Sequence, residues 1–199
     1  MNLPMPVAVG IWVVLGLVLL ALVLTGRKRL ASRTTTLVPA PPAVPAEVAA
    51  SLSGALRDGP EPVFGPVEAT YVSSTLHGDW LARVGAHRLG DRSLARVSVL
   101  EEGVLVERHG TDDVWIPAAS IRSAQLAPGM AGKYVGADGI VVISWAVGEL
   151  PDDAADAAAP GAGDDSGREA VLLDTGLRTR RATDRGALVD AVRHLGTNR

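Results

Sequence analysis

The sequence predicts an α+β, mainly β chain: one N-terminal transmembrane helix, then a seven-stranded antiparallel barrel or sandwich capped by a C-terminal α-helix. Three observations predict it. Leu3–Leu24 is an uncharged apolar run closed by Arg27, Lys28, Arg29 and Arg33. From Val67 the chain breaks into short β-type runs separated by turn residues. Near the end, Leu188, Val192 and Leu195 recur at i, i+4 and i+7, the apolar stripe of a helix.

The first element follows from length and charge. A helix rises about 1.5 Å per residue, so about twenty residues cover the roughly 30 Å of hydrocarbon in a bilayer. Val7–Leu24 carries no charge, two glycines, and Trp12 as its single aromatic. Met1–Pro6 is uncharged as well, so the basic cluster lies wholly on the C-terminal side. The positive-inside rule then places the N-terminus outside and the rest in the cytoplasm, a single-pass protein of the cell membrane. A cleaved signal peptide needs a basic segment before the core and a small-x-small site after it, and neither is present. Residues 1–30 therefore read as an anchor with a basic cytoplasmic flank.

The 199 residues leave room for one soluble domain of ordinary size. With no cysteine, disulfides, thiolate nucleophiles and zinc–thiolate sites are excluded together. From Val67 to Arg199 there are 14 basic and 19 acidic residues, six of the acids between Glu149 and Asp165. Nucleic-acid binding needs a basic excess to neutralise phosphates, so no nucleic-acid partner is expected.

Residues 31–66 read as a linker, holding seven of the thirteen prolines. Within it Ala46–Arg57 carries Val48, Leu52 and Leu56 at helical spacing, bracketed by Pro and Gly, which predicts a transient helix. The domain then spans 67–199. Val67–Leu76 is the first strand, rich in Val, Tyr, Thr and Ser. In Arg92–Leu100, Ala95, Val97 and Val99 alternate with Arg96 and Ser98. Glu101-Glu102-Gly103 turns into Gly103–His109, completing a hairpin. Asp113–Ile116, ended by Pro117, and Ile121–Leu126 follow. Gly139–Val147 is apolar on both faces, a central covered strand, and Glu169–Asp174 is the seventh. Ala127–Asp138, with three glycines and a proline, reads as a mobile loop, and residues 149–168 as an acidic, disordered one. Thr183 suits the N-cap of the final helix, Asp184 its dipole, and Gly196 its stop.

This order is carried further by particular residues: Gly78-Asp79-Trp80-Leu81 with Arg83, His87, Leu89-Gly90 and Arg92-Ser93; Trp115 to Ile121; Ala131-Gly132-Lys133; Trp145; and Asp174-Thr175-Gly176-Leu177-Arg178. Together they resemble the small actinobacterial membrane proteins with one N-terminal transmembrane helix and a PH-like domain. Members of that family are sometimes labelled transporter or export protein and tend to lie beside pyrimidine-biosynthesis genes. The resemblance covers the anchor and nearly all of Val67–Gly196. It implies a PH-like fold, which mostly binds lipids, peptides or proteins, and it implies no cofactor.

Chemistry is sparse. His77 and Asp79 lie two apart, but with no nucleophile or third ligand evident they read as a loop anchor, with Trp80 packed beside them. Gly132-Lys133-Tyr134 lacks the spacing and the hydroxyl of a phosphate loop. Neither a catalytic set nor a metal site is expected. The basic residues give the candidates: Arg83, Arg88 and Arg92 between the first two strands, where PH domains of eukaryotes hold headgroup phosphates; Lys133 in its loop; and a denser set, Arg178, Arg180, Arg181 and Arg185, leading into the last helix. The expectation is a non-enzymatic, membrane-tethered interaction module for an unidentified protein partner or an anionic lipid. The alternative is an accessory subunit of a transport or export complex.

Overall fold

In the computed structural model, which describes residues 11–22, 38–52, 59–148 and 170–197, the alternating runs form one seven-stranded sheet. The strands are β1 (Phe64–Leu76), β2 (Ser93–Leu100), β3 (Gly103–Arg108), β4 (Val114–Pro117), β5 (Ile121–Ala127), β8 (Ile140–Val147) and β9 (Val171–Thr179); a small hairpin of β6 (Gly129–Met130) and β7 (Lys133–Tyr134) lies between β5 and β8. The order is β4-β3-β2-β1-β9-β8-β5, antiparallel throughout. Its two edge strands, β4 and β5, are consecutive in the chain and joined by the 3-10 turn Ala118–Ser120. The helices are α1 (residues 11–22), α2 (Ala46–Leu52) and α3 (Asp184–Thr197).

Alternation works as the sequence implies. Tyr71, Val97, Val99, Val104, Val106, Ile143, Trp145 and Leu177 all turn into one buried cluster. Leu188, Val189 and Val192 of α3 close it, and Arg193 Nε donates to the Ala124 carbonyl of edge strand β5 at 2.8 Å. Differences fall at boundaries. β1 begins at Phe64, β9 runs to Thr179 rather than ending at Asp174, and α3 continues through Gly196. Gly103 opens β3 for a packing reason: a Cβ there would overlap the Trp115 ring and the Ile116 carbonyl.

Two segments depart from their sequence reading because the sheet's outer face is not all polar. Leu100, Leu105 and Trp115 are buried on that face beneath Val48 of α2. Val38 is buried in the main core, its carbonyl accepting from His87 Nε2 at 3.1 Å. Residues 38–52 of the expected linker are thus packed on the domain. The expected mobile loop holds the β6–β7 hairpin, whose Met130 covers Val72, Ile140 and Val142. Burying one such side chain contributes about 1.5–3 kcal/mol, enough to fix a short segment. It is this hairpin that buries the second apolar face of β8.

The expected transmembrane run is described only over residues 11–22, every one of them exposed. Among the described residues no helix is long and apolar enough to cross a membrane. The remainder of that run, and the acidic segment 149–168, lie outside the described residues.

Gly176 in β9 lies under Met130, and a Cβ there would overlap its sulfur. Gly176→Ala is expected to lower stability by about 1–3 kcal/mol through overpacking. In denaturant titrations Met130→Ala should then cost less in that background than alone; strict additivity would mean the two do not touch.

Candidate functional site

The loop between β1 and β2 carries three of the eight basic candidates, Arg83, Arg88 and Arg92, and a buried polar chain fixes it. Trp145 Nε1 donates to Thr175 Oγ1 at 2.8 Å; Thr175 and Ser74 hydroxyls meet at 2.7 Å, and Ser74 and Tyr71 at 2.7 Å. Tyr71 Oη donates to the Leu89 carbonyl at 2.9 Å. The direction is forced, because an indole N–H only donates and a carbonyl only accepts. Thr175 therefore donates to Ser74, and Ser74 to Tyr71. The Ser74 amide also donates to Leu89 O (2.7 Å), and Val84 N donates to Ser74 O (3.0 Å), laying the loop along β1.

Arg108 completes the support. Val104 and Val106 face inward, so period-two alternation brings Arg108 inward as well, and it is buried. Its guanidinium stacks 4.7 Å from the Tyr71 ring centroid, donating to the Asp112 carbonyl at 2.7 Å and to the Arg88 carbonyl at 3.0 Å. Burial pulls its pKa below the usual arginine value, but a guanidinium with two such donors engaged stays charged. Burial pushes the Tyr71 phenol up to about 12, so it serves as a neutral donor rather than an acid or base.

Two cavities flank this support. An outer groove of about 780 Å³ runs across β9, β1, β2 and β3, with Arg178, Arg180, Arg96 and Glu107 standing on its walls and Leu94 in it, 70% exposed. A smaller cavity of about 270 Å³ lies between the β1–β2 loop and the β3–β4 turn, lined by Arg88, Asp91, Arg92, Ser93, His109, Gly110 and Thr111. Ser93 Oγ and Thr111 Oγ1 are buried there without a hydrogen-bond partner among the described residues. His109 borders both cavities.

The basic candidates are dispersed. Arg88 is exposed, 3.4 Å from Asp91 and donating to the Gly110 carbonyl at 3.3 Å; Arg92 is exposed on the wall of the small cavity. Arg83 is half-buried, its Nη2 donating to the Ala131 carbonyl at 2.9 Å, a strut rather than a surface ligand. Lys133 is exposed at the hairpin tip. Arg178 lies within β9 opposite Thr70, and Arg180 pairs with Glu68 at 2.5 Å. Arg181 is exposed in the turn before α3, and half-buried Arg185 donates to the Asp138 carbonyl at 3.3 Å. So the dense cluster of four divides: two residues line the groove and two do not.

His77 does not pair with Asp79. Its Nδ1 meets Asp174 Oδ1 at 2.9 Å, and the Ser144 hydroxyl donates to that same oxygen at 2.6 Å. Asp79 instead accepts the Leu81 and Ala82 amides at 3.0 and 3.1 Å. Trp80, expected to be packed, is 55% exposed. Among the described residues no group of three or more His, Asp or Glu side chains is placed to hold a metal.

A family model described as "Bacterial PH domain-like" matches residues 38–159. The chain belongs to that family. Its fold is accordingly PH-like and mainly β, with a seven-stranded antiparallel sheet and a C-terminal helix. The match begins at Val38, so α2 lies within it, whereas β9 and α3 follow it. No curated protein matches the chain.

The sequence reading of the PH-like domain missed Arg108, Ser93, His109 and Thr111. Arg108 had a signal, a charge at an inward position of an alternating strand. The other three come together only through the β2–β3 pairing and carry none.

The raised Tyr71 pKa fixes a pH limb. The unfolded phenol ionises near 10 and the folded one near 12, so this contribution is complete below pH 10 and is lost as pH rises to 12, about 3 kcal/mol in all. Denaturant titrations across that range should show the loss, and Tyr71→Phe should abolish the limb while costing about 1–3 kcal/mol at neutral pH for the orphaned Ser74 hydroxyl.

Proposed function

We propose that the chain is a non-catalytic recognition module, tethered at the inner face of the cell membrane, whose PH-like domain binds a phosphate-bearing lipid headgroup in the small cavity between the β1–β2 loop and the β3–β4 turn. The observation that carries the reading is the pair of buried, unpartnered hydroxyls, Ser93 and Thr111, beside Arg88 and Arg92. Hydroxyl donors with no protein acceptor, next to two guanidinium groups, suit a tetrahedral oxyanion. Asp91 offsets part of the charge but is paired with Arg88, which leaves Arg92 to meet the anion. Membership of a PH-like family supports an interaction module without naming its ligand. The tether rests on sequence: the apolar run Leu3–Leu24 and the basic cluster that follows it.

A second reading, a protein partner, is favoured by the outer groove. There an exposed Leu94 and Arg178 flank Thr70 from the two neighbouring strands, while Arg180 is paired with Glu68 and Arg96 with Glu107.

The full-length protein in detergent micelles, titrated calorimetrically with short-chain phosphatidic acid and separately with inorganic phosphate, tests the cavity. Arg92→Ala with Thr111→Val is expected to weaken binding of phosphatidic acid on the order of tenfold or more, each lost charge-assisted bond being worth about 1.5–3 kcal/mol. Equal affinity of wild type and variant would overturn the cavity, and binding of inorganic phosphate alone would replace the headgroup by a free anion. Arg178→Glu, in the groove, should leave this titration unchanged.

A further inference from the structure

The cavity leaves a second feature unused. Where β1 ends, the turn His77–Ala82 is pinned from several sides: Asp79 caps Leu81 and Ala82, His77 N–H donates to the Leu172 carbonyl at 3.0 Å, and His77 Nδ1 meets Asp174. The β6–β7 hairpin is stitched to it through Ala131, whose N–H donates to the Trp80 carbonyl at 2.8 Å and whose carbonyl accepts from Arg83. On this fixed backbone the large side chains face solvent: Trp80 is 55% exposed, Leu81 60% and Tyr134 77%, with Lys133 exposed beside Tyr134. Leu81 Cδ2 lies 3.8 Å from where a Cβ on Gly132 would stand, so turn and hairpin tip form one patch. The fold holds the patch rigid without burying it, and exposed apolar surface kept in this way marks a contact site.

Its chemistry selects the occupant. Indole and phenol rings with an apolar body and a polar edge, accompanied by leucine and lysine, suit the headgroup level of a bilayer. Asp79 and Asp174, beside the turn, are spent inside the protein, Asp79 on backbone amides and Asp174 on Ser144 and His77. Lys133 has no ion pair among the described residues and complements acidic headgroups. The chain arriving from the apolar run is attached to the same loop, through the Val38 carbonyl on His87. Residues 23–37 span at most about 50 Å when extended, which confines the patch close to any membrane that holds the run.

We propose that Trp80, Leu81, Lys133 and Tyr134 form a bilayer-contact surface that seats the domain at headgroup level. The proposal rests on the tethered reading above, and two tryptophans allow the two to fail separately. Of the four tryptophans, Trp115 and Trp145 are buried and give a constant background, Trp12 lies in the apolar run and Trp80 in the patch. The full-length protein is reconstituted into phosphatidylcholine–phosphatidylglycerol vesicles with or without acyl-brominated lipid, which quenches indoles at membrane depth. In Trp12→Phe, brominated lipid is expected to remove the Trp80 part of the emission, and adding Leu81→Asp with Tyr134→Asp, both at exposed positions, should restore it. In Trp80→Phe, loss of the Trp12 emission reports the tether alone. Trp12 quenched with Trp80 untouched overturns the contact surface and leaves the tether standing; that is also the result if a protein partner covers the patch. Trp80 quenched without Trp12 upholds the surface and removes the tether, and quenching of neither removes both.

Discussion

The hydroxyl of Tyr71 is the point on which the rest of this domain turns. It sits in a dry core, where an unmade hydrogen bond costs about 1–3 kcal/mol, yet it belongs to a chain in which each hydroxyl from Thr175 to Tyr71 both donates and accepts. The chain starts on β8, crosses β9 and β1 and ends on the Leu89 carbonyl, so it ties a long loop to the middle of the sheet. Arg108 secures the same point from β3 by stacking on the ring and holding the Arg88 carbonyl. The positions of Arg88 and Arg92 descend from that attachment.

What was legible in the sequence was whatever obeys a period. The seven strands, the hairpin at Glu101-Glu102, the double-faced apolarity of β8 and the stripe on α3 follow from alternation or helical spacing, and they stand where expected to within a few residues. The second layer was illegible. Val48 stood on a short helical stripe with nothing local to show that it packs on the sheet, and nothing local distinguishes a buried Met130 from a loop Met. The need for them was visible on the other side of the contact, since Ile140 and Val142 had to be covered by something. A long-range requirement of that kind names no partner in advance.

Site residues show the same division. Sequence proximity grouped Arg178, Arg180, Arg181 and Arg185, but a strand, a turn and a helix carry them apart, so Arg180 neutralises Glu68 while Arg185 reaches Asp138. The small cavity, conversely, gathers Ser93 and Thr111 from opposite ends of a hairpin. His77 found its carboxylate at Asp174, 97 residues away, rather than at neighbouring Asp79, because β1 and β9 are paired in register at that end. Surface chemistry depends on register more than on sequence distance.

The burial of Val38 has a mechanical meaning. A chain entering a domain through a loose linker delivers tension to the first strand it meets. Among the described residues that follow position 37, the first is a valine sunk in the core, and its carbonyl is held by His87 of the β1–β2 loop. A pull along the N-terminal segment is therefore carried by the loop between the cavity and the Trp80 turn before it reaches α2 or β1. In the proposed tethered protein, the attachment and the proposed recognition surfaces would share one load path.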